Sequence, residues 1–531
     1  MREFTAVKVD ELKNGEMKSV NLGGNEILLC KIEDRFYALS AHCTHYGAPL
    51  AEGLLNGDRI VCPWHHACFN AKTGLRLEPP ANDSIQKFET RIDGQNVIVS
   101  LPEKIEGGIP PQILKHKETD KRKFVIIGGG AAGYSAAQAL REDGFAGELI
   151  LISKDEDLPY DRPNVSKDFL AGDAEETWMP LRGEGFYKDL GIKLMLNKNV
   201  TGVNPKEKRI SFSEGDSISF DKLLLTMGGE PKKPGIPGEN LKNVFTLRSL
   251  SDSKKIIEAA ARANKAVIIG ASFIGMETAY SLRKRGLDVL VISMEMIPFQ
   301  KVFGKEVGIL FKHLHEENGV TFRMSFTLSE FAGKEKVEAV LLQNGERFDA
   351  DIVLLGVGVK PATSFLSQSD PSGKIFELLR DGSLKVDDYL RVTEDIFAAG
   401  DIATYTDWQT GEDIRIEHWR TAEQQGIIAA HNMMGLNIPN RIVPFFWTSQ
   451  VGLSFNYVGH AGDWQEIIFK GDISSHEFIA FYVKNDKVYA AGGNFMDKEM
   501  AAIEELMRLD KMPTPEELKY KSIDLVDLLS K

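Results

Sequence analysis

After Cys68 this chain of 531 residues contains no further cysteine; its four, Cys30, Cys43, Cys62 and Cys68, all precede position 70. A disulfide framework is thereby excluded for most of the molecule, as suits a reducing, cytoplasmic setting. No apolar run approaches the ~18 residues that a membrane-crossing helix needs. The start, Met-Arg-Glu-Phe, has neither the apolar stretch of a signal peptide nor the arginines of a transit segment. An excess of basic residues is missing too. With 64 Lys and Arg against 77 Asp and Glu, the net charge is −13, which disfavours nucleic acids and anionic membranes as partners. Such a length exceeds one hydrophobic core and predicts roughly three or four domains.

Two short motifs stand out against these absences. Cys43-Thr-His45 and Cys62-Pro-Trp-His65 offer two thiolates and two imidazoles from loops punctuated by Gly and Pro. That is the ligand set of a Rieske 2Fe–2S centre, two Cys on one iron and two His on the other. A Cys2His2 zinc site uses the same donors, although zinc fingers place a Cys pair before a His pair on a helix. Cys30 and Cys68 lack partners at ligand spacing and read as small buried hydrophobes. His42 and His66 abut the ligands without being assigned to iron, and His66 is expected to donate a hydrogen bond behind them.

Residues 1–103 alternate in short runs and predict a small all-β domain. Residues 104–121, polar and rich in Gly and Pro, read as a linker. At Phe124-Val-Ile-Ile127 a continuous apolar run enters Gly128-Gly-Gly130-Ala-Ala-Gly133, then a helical stretch and a second apolar run. This is the opening of a dinucleotide-binding unit, in which Gly128, Gly130 and Gly133 allow a tight turn and close approach of a pyrophosphate to a helix N-terminus. The pattern recurs at Ala266–Ile269 with Gly270 and Gly275, so two dinucleotides are expected. Asp155 or Glu156 stands where a ribose-binding acid belongs in the first unit. The segment Ala399-Gly400-Asp401 lets a carboxylate approach a bound cofactor with no side chain in the way. Beyond residue 440 the rhythm changes to that of a separate α+β domain.

Together with Leu224–Gly229 and Leu354–Gly358, these motifs resemble FAD/NAD(P)H flavoprotein reductases of the glutathione-reductase fold. The resemblance implies an insertion of the nicotinamide domain into the flavin domain: 122–247 and 366–440 for FAD, 248–365 for NAD(P)H, and 441–531 for the C-terminal domain. Disulfide reductases of that fold need a Cys pair beside the flavin, and none follows Cys68. The segment Leu158-Pro-Tyr-Asp-Arg162-Pro with Ser166-Lys167 is similar to the flavin-contacting stretch of oxygenase-type ferredoxin reductases and apoptosis-inducing factor. There the Arg lies along the FAD phosphates and the Lys pairs with a Glu beside the isoalloxazine, which implies Arg162, Lys167 and Glu277, the last two as the catalytic pair. Glu417-His418-Trp419 and Trp447 match positions lining the far side of the flavin. With the Cys62-Pro-Trp-His65-His-Ala-Cys-Phe-Asn70 string in front, the chain resembles the Rieske-bearing flavoproteins of the apoptosis-inducing-factor family over nearly its whole length. Ala48 and Trp64 replace the disulfide of respiratory Rieske proteins, as in the low-potential ferredoxin-type centres. In the second nucleotide motif Ser272 replaces the middle glycine and Ser293 the strand-end acid. Glu295 is the candidate substitute, and no nearby Arg waits for a 2′-phosphate, so NADH is expected before NADPH.

The expected function is transfer of electrons from NAD(P)H through FAD to the 2Fe–2S cluster and on to an unidentified redox acceptor. Homodimerisation is left open. The alternatives are a slow redox sensor that binds a partner in its reduced state, and an oxidoreductase acting on its own small substrate.

Overall fold

The computed structural model describes residues 1–111 and 120–530, so residues 112–119 of the expected linker lie outside the described residues. Two compact units emerge. One comprises Met1–Ile113, Ile442–Trp447 and Asn456–Lys531; the other comprises Leu114–Arg441 and Thr448–Phe455.

The first unit is built on antiparallel sheets. Six strands run in the order Arg2–Lys8, Asn96–Leu101, Lys87–Asp93, Arg35–Ser40, Asn25–Ile32, Met17–Leu22. In Asn25–Ile32 the run Ile27–Cys30 is fully buried because alternate side chains feed different cores. Leu28 and Cys30 join one with Leu39 and Phe69, and Ile27 and Leu29 join the other with Ala38 and Val97. Burial in that first core pushes the Cys30 thiol up to about 12, consistent with an inert packing residue. A four-stranded sheet, Leu54–Asn56, Arg59–Val61, Cys68–Asn70 and Arg76–Glu78, carries the loop between Val61 and Cys68. The C-terminal part adds five strands and the helix Asp497–Arg508.

The second unit contains two five-stranded sheets, each with the two-glycine pattern at its centre. In the first, Ile192–Met195, Glu148–Ile152, Lys123–Ile127, Lys222–Leu225 and Ile396–Ala398 lie side by side in parallel. The second is ordered Val244–Thr246, Ile352–Leu355, Lys265–Ile269, Asp288–Ser293, Val320–Met324. Its strands lie in sequence between Lys222–Leu225 and Ile396–Ala398, so one α/β layer is inserted within the other. Residues Thr448–Phe455, the tip of the hairpin formed by Phe445–Gln450 and Leu453–Gly459, are grouped with this unit. Phe455 packs there on Phe303 and Phe311, ring centroids 4.7 and 5.6 Å away.

Helix Ala131–Glu142, which follows the first glycine turn, packs on Trp419–Met433 through Gly426, where an added Cβ would stand 2.1 Å from the Ala132 carbonyl oxygen. Backbone blocks that space, so the helices must separate if it is filled. Gly426→Ala should therefore cost about 1–3 kcal/mol and lower the thermal midpoint, with weaker FAD retention read by the flavin-to-protein absorbance ratio.

Candidate functional site

The two Cys–His loops in the first unit share one turn geometry. Cys43 N–H donates to Ala48 O at 2.9 Å while Cys43 O accepts from Gly47 N–H at 2.9 Å. Cys62 N–H donates to Ala67 O at 2.8 Å while Cys62 O accepts from His66 N–H at 3.2 Å. The fifth residue of each turn is left-handed: Gly47 at φ 77° and His66 at φ 56°. The turns bring the imidazoles of His45 and His65 to an Nδ1–Nδ1 distance of 3.1 Å, and the thiols of Cys43 and Cys62 into hydrogen-bond contact. Among the described residues no three His, Cys, Asp or Glu side chains converge to hold a single ion. The donors meet as a thiol pair and an imidazole pair, which fits two irons better than one zinc. The hydrogen bond from Cys43 and its burial raise the Cys43 thiol. Burial opposes ionisation at Cys62 as well, yet the bond from Cys43 and the N–H groups of His65 and Trp64 bring it below its usual value. Burial lowers His45 to about 3 and keeps the imidazole neutral, as a metal ligand must be. Trp447 covers this pair, its ring 4.3 Å from His65 and 6.1 Å from His45. Tyr46 stacks on His45 at 3.9 Å and stays 45% exposed.

The second unit presents its glycines as a matched pair of turns. Gly128 (φ 115°) and Gly270 (φ 99°) leave no room for Cβ, which would meet the carbonyl oxygens of Thr226 and Gly356 at 2.2 and 2.4 Å. Gly133 and Gly275 press in the same way on Gly128 and Gly270, whereas a Cβ on Gly130 would meet nothing within 4 Å. Gly130 is the N-cap of the helix, and the N–H groups of a helix's first turn, which have no partner within the helix, suit a pyrophosphate. Ser272, in place of a middle glycine, caps the second helix through Gly275 N–H and donates to Gly356 O at 2.8 Å.

Charged groups gather beside the first turn. Arg162 lies 4.9 Å over the Tyr160 ring, donates to Asp155 at 3.3 Å and bonds the Arg248 carbonyl. Arg248 in turn holds the buried Asp401 at 2.6 Å. Asp155 thus serves Arg162 and the Tyr160 hydroxyl, and Arg248 is a cation that no motif announced. Arg415 joins Glu417, Asp381 and the Asp401 carbonyl. His418 precedes the helix Trp419–Met433 as its cap, and Trp419 packs half-buried on the core of the first sheet. Glu295 pairs with Lys301 at 3.2 Å, and exposed Met294 and Met296 flank it.

Lys167 and Glu277, 110 positions apart, meet at 2.9 Å. Glu277 is 5% exposed and also accepts from Ser166 at 2.7 Å and Thr448 at 2.8 Å. Behind Thr448 the chain of donors continues: Gln450 Nε2 donates to Thr448 Oγ1 at 2.7 Å, and His315 Nε2 lies 2.9 Å from Gln450 Oε1. All the hydrogens point toward the carboxylate, which is acceptor-only when ionised. That direction requires a proton on His315 Nε2, and burial keeps the ring neutral. Thr448, Gln450 and His315 carry no motif of their own.

Comparison with known proteins is consistent with this geometry. Residues 122–426 match the model of the pyridine nucleotide-disulphide oxidoreductases, residues 2–89 that of the Rieske [2Fe-2S] domain, and 445–529 that of the reductase C-terminal domain. The chain belongs to the pyridine nucleotide-disulphide oxidoreductase family and carries a Rieske domain. Members similar to it include apoptosis-inducing factor 3 of Mus musculus, 34% identical over 95% of this chain and 84% of that one. The 3-phenylpropionate/cinnamic acid dioxygenase ferredoxin–NAD(+) reductase component of Photorhabdus laumondii is 32% identical over 72% of this chain and 95% of its own. The covalent putidaredoxin reductase–putidaredoxin complex shares the fold with a TM-score of 0.71 at 27% identity, covering 77% of this chain and 98% of that one. This pyridine nucleotide-disulphide oxidoreductase is an NAD(P)H-dependent flavoprotein of the ferredoxin-reductase type, with FAD, NAD(P)H and a 2Fe–2S cluster as its cofactors. Its layers follow the expected order: an N-terminal all-β Rieske region, two Rossmann-like α/β layers and a C-terminal α+β region. No helix among the described residues is long and apolar enough to cross a membrane.

Burial holds His315 at about 4, against an ordinary value of 6.5, although the Gln450 bond acts the other way. Between pH 6.5 and 4 the unfolded chain therefore takes up a proton that the fold refuses. Stability should be complete above pH 6.5 and fall on acidification through that window, by on the order of 2–3 kcal/mol. Denaturant melts at pH 7 and pH 4.5 should show this loss, and His315→Gln, which keeps a donor toward Gln450, should remove most of it.

Proposed function

We propose that this reductase passes electrons from NADH through FAD to its own Rieske cluster, and from there to an external redox acceptor. The observation that carries the reading is the absence of any cysteine after Cys68, beside a reductase fold whose disulfide-reducing members need a Cys pair at the flavin. With no local disulfide to reduce, the cluster in the same chain is the remaining destination. FAD supplies the conversion of a two-electron hydride into single electrons.

The residues of the chain take defined parts in this reading. Gly128, Gly130 and Gly133 bring backbone N–H groups to the FAD pyrophosphate, Arg162 neutralises its charge and Asp401 takes up its polar groups. Gly270 and Gly275 would do the same for the nicotinamide nucleotide, with Glu295 as the acid for its ribose. Lys167, fixed by the buried Glu277, would stand beside the isoalloxazine, and Glu417, His418 and Trp419 would line its other side. Residues 122–247 and 366–440 then form the FAD domain, 248–365 the NADH domain and 441–531 the C-terminal domain. Cys43 and Cys62 would hold one iron and His45 and His65 the other, with Trp447 shielding the histidines from water. Tyr46, stacked on a ligand and open to solvent, is a point at which an acceptor can approach. The relatives named as dioxygenase reductase components support an oxygenase or its ferredoxin as the class of acceptor.

Two measurements test the proposal. Anaerobic titration with NADH should bleach the flavin and then produce a rhombic Rieske EPR signal at about one spin per flavin. A reduced flavin beside an oxidised cluster would refute internal transfer and leave the redox-sensor reading. Lys167→Ala should slow flavin reduction by ~10–100-fold, on the scale of 1.4 kcal/mol per tenfold, in stopped-flow traces at 450 nm; an unchanged rate would remove the Lys167–Glu277 pair from the flavin site.

A further inference from the structure

The second cluster loop has an anchor that cluster ligation itself does not require. In the first loop the left-handed position belongs to glycine, Gly47, which adopts it freely. The equivalent position in the second loop is His66, where a Cβ disfavours that conformation. His66 is nevertheless completely buried. Its Nδ1 lies 2.5 Å from the Glu504 carboxylate on the C-terminal helix Asp497–Arg508, and its ring stacks on Phe445 at 4.1 Å.

The next residue on that helix attaches to the strand pair that leads into the loop. Glu505, 2% exposed, accepts from Asn56 at 2.7 Å and from Arg59 at 3.2 Å. Arg59 opens the strand Arg59–Val61 that delivers Cys62, and its guanidinium is also paired with Glu78. One helix of the reductase C-terminal domain therefore grips the second loop both before and after its cysteine. Each of these contacts lies within the first compact unit.

We propose that Glu504, acting through His66, is a positioning residue for the Rieske cluster. It locks the second ligand loop onto the C-terminal domain and places a fixed negative charge behind the loop, so that the cluster and this domain form one redox module. A carboxylate in that position disfavours the added electron and holds the cluster potential down. The proposal rests on Cys43, His45, Cys62 and His65 being the ligands.

The test uses the full-length holoprotein, with EPR-monitored redox titration of the cluster and hydrogen exchange of residues 497–508. Glu504→Gln keeps an acceptor for His66 but removes the charge; the cluster potential should move positive while exchange in the helix stays near that of the parent protein. His66→Gly relieves the left-handed backbone but cuts the tether, so the cluster should remain bound and exchange in 497–508 should rise at least tenfold. Unchanged potential in Glu504→Gln together with unchanged exchange in His66→Gly would overturn the proposal. If His66→Gly loses its cluster, Glu504→Gln decides alone: an unshifted potential overturns the proposal and a positive shift upholds it. Cys62→Ser is the separate control for the ligand set. Retention of the Rieske signal in that variant would show the ligand assignment, rather than the tether, to be at fault.

Discussion

A carboxylate sealed from water needs donors on every side, and the arrangement around Glu277 follows from that requirement. Removing an ionised group from solvent costs several kcal/mol unless hydrogen bonds and an opposite charge replace its hydration. Here the replacements arrive from two distant stretches: Ser166 and Lys167 from the loop after the first α/β crossover, and Thr448 from the hairpin tip. Ser281, on the same helix as Glu277, donates to the Ser166 carbonyl and fixes the loop that carries Lys167. The hairpin tip is held in turn by Gln450 against His315 and by Phe455 in an aromatic cluster. The need to satisfy one acid thus ties the two nucleotide layers and the C-terminal hairpin tip to a common point.

The cluster loops solve a different problem with a repeated device. A metal ligand must be deprotonated and aimed, and a five-residue turn whose first member is cysteine does the aiming in both loops. The turn directs backbone N–H groups at the sulfur of Cys62, favouring the thiolate, while burial keeps the His45 imidazole neutral. Two copies of the turn facing one another bring thiol to thiol and nitrogen to nitrogen.

Much of this was legible in the order of residues because the signals are local. Apolar strands entering Gly128 and Gly270 announce both nucleotide turns, since only glycine fits where a Cβ would strike a carbonyl. The Cys–His pairs carry their spacing within a few positions. What escaped was long-range: Arg248 on Asp401, His315 behind Gln450, and Glu504 on His66 link residues between 135 and 438 positions apart. No periodicity encodes such partners. Trp447 illustrates the limit. The resemblance set it beside the flavin, whereas its contact with His45 and His65 depends on the C-terminal strand Phe445–Gln450 joining the N-terminal β-region.

That long-range joining has a consequence for how the molecule is made. The Rieske region leaves the ribosome well before the C-terminal helix, since Glu504 follows His66 by 438 residues. At ~5–20 residues per second, synthesis keeps the second loop waiting roughly twenty to ninety seconds for its carboxylate. During that interval its left-handed histidine has no anchor from the C-terminal helix, and the face that will receive the helix is open to other chains. A transcript cut short before Asp497 would leave the region in that state permanently, with the ligands for iron present and the helix that anchors His66 missing.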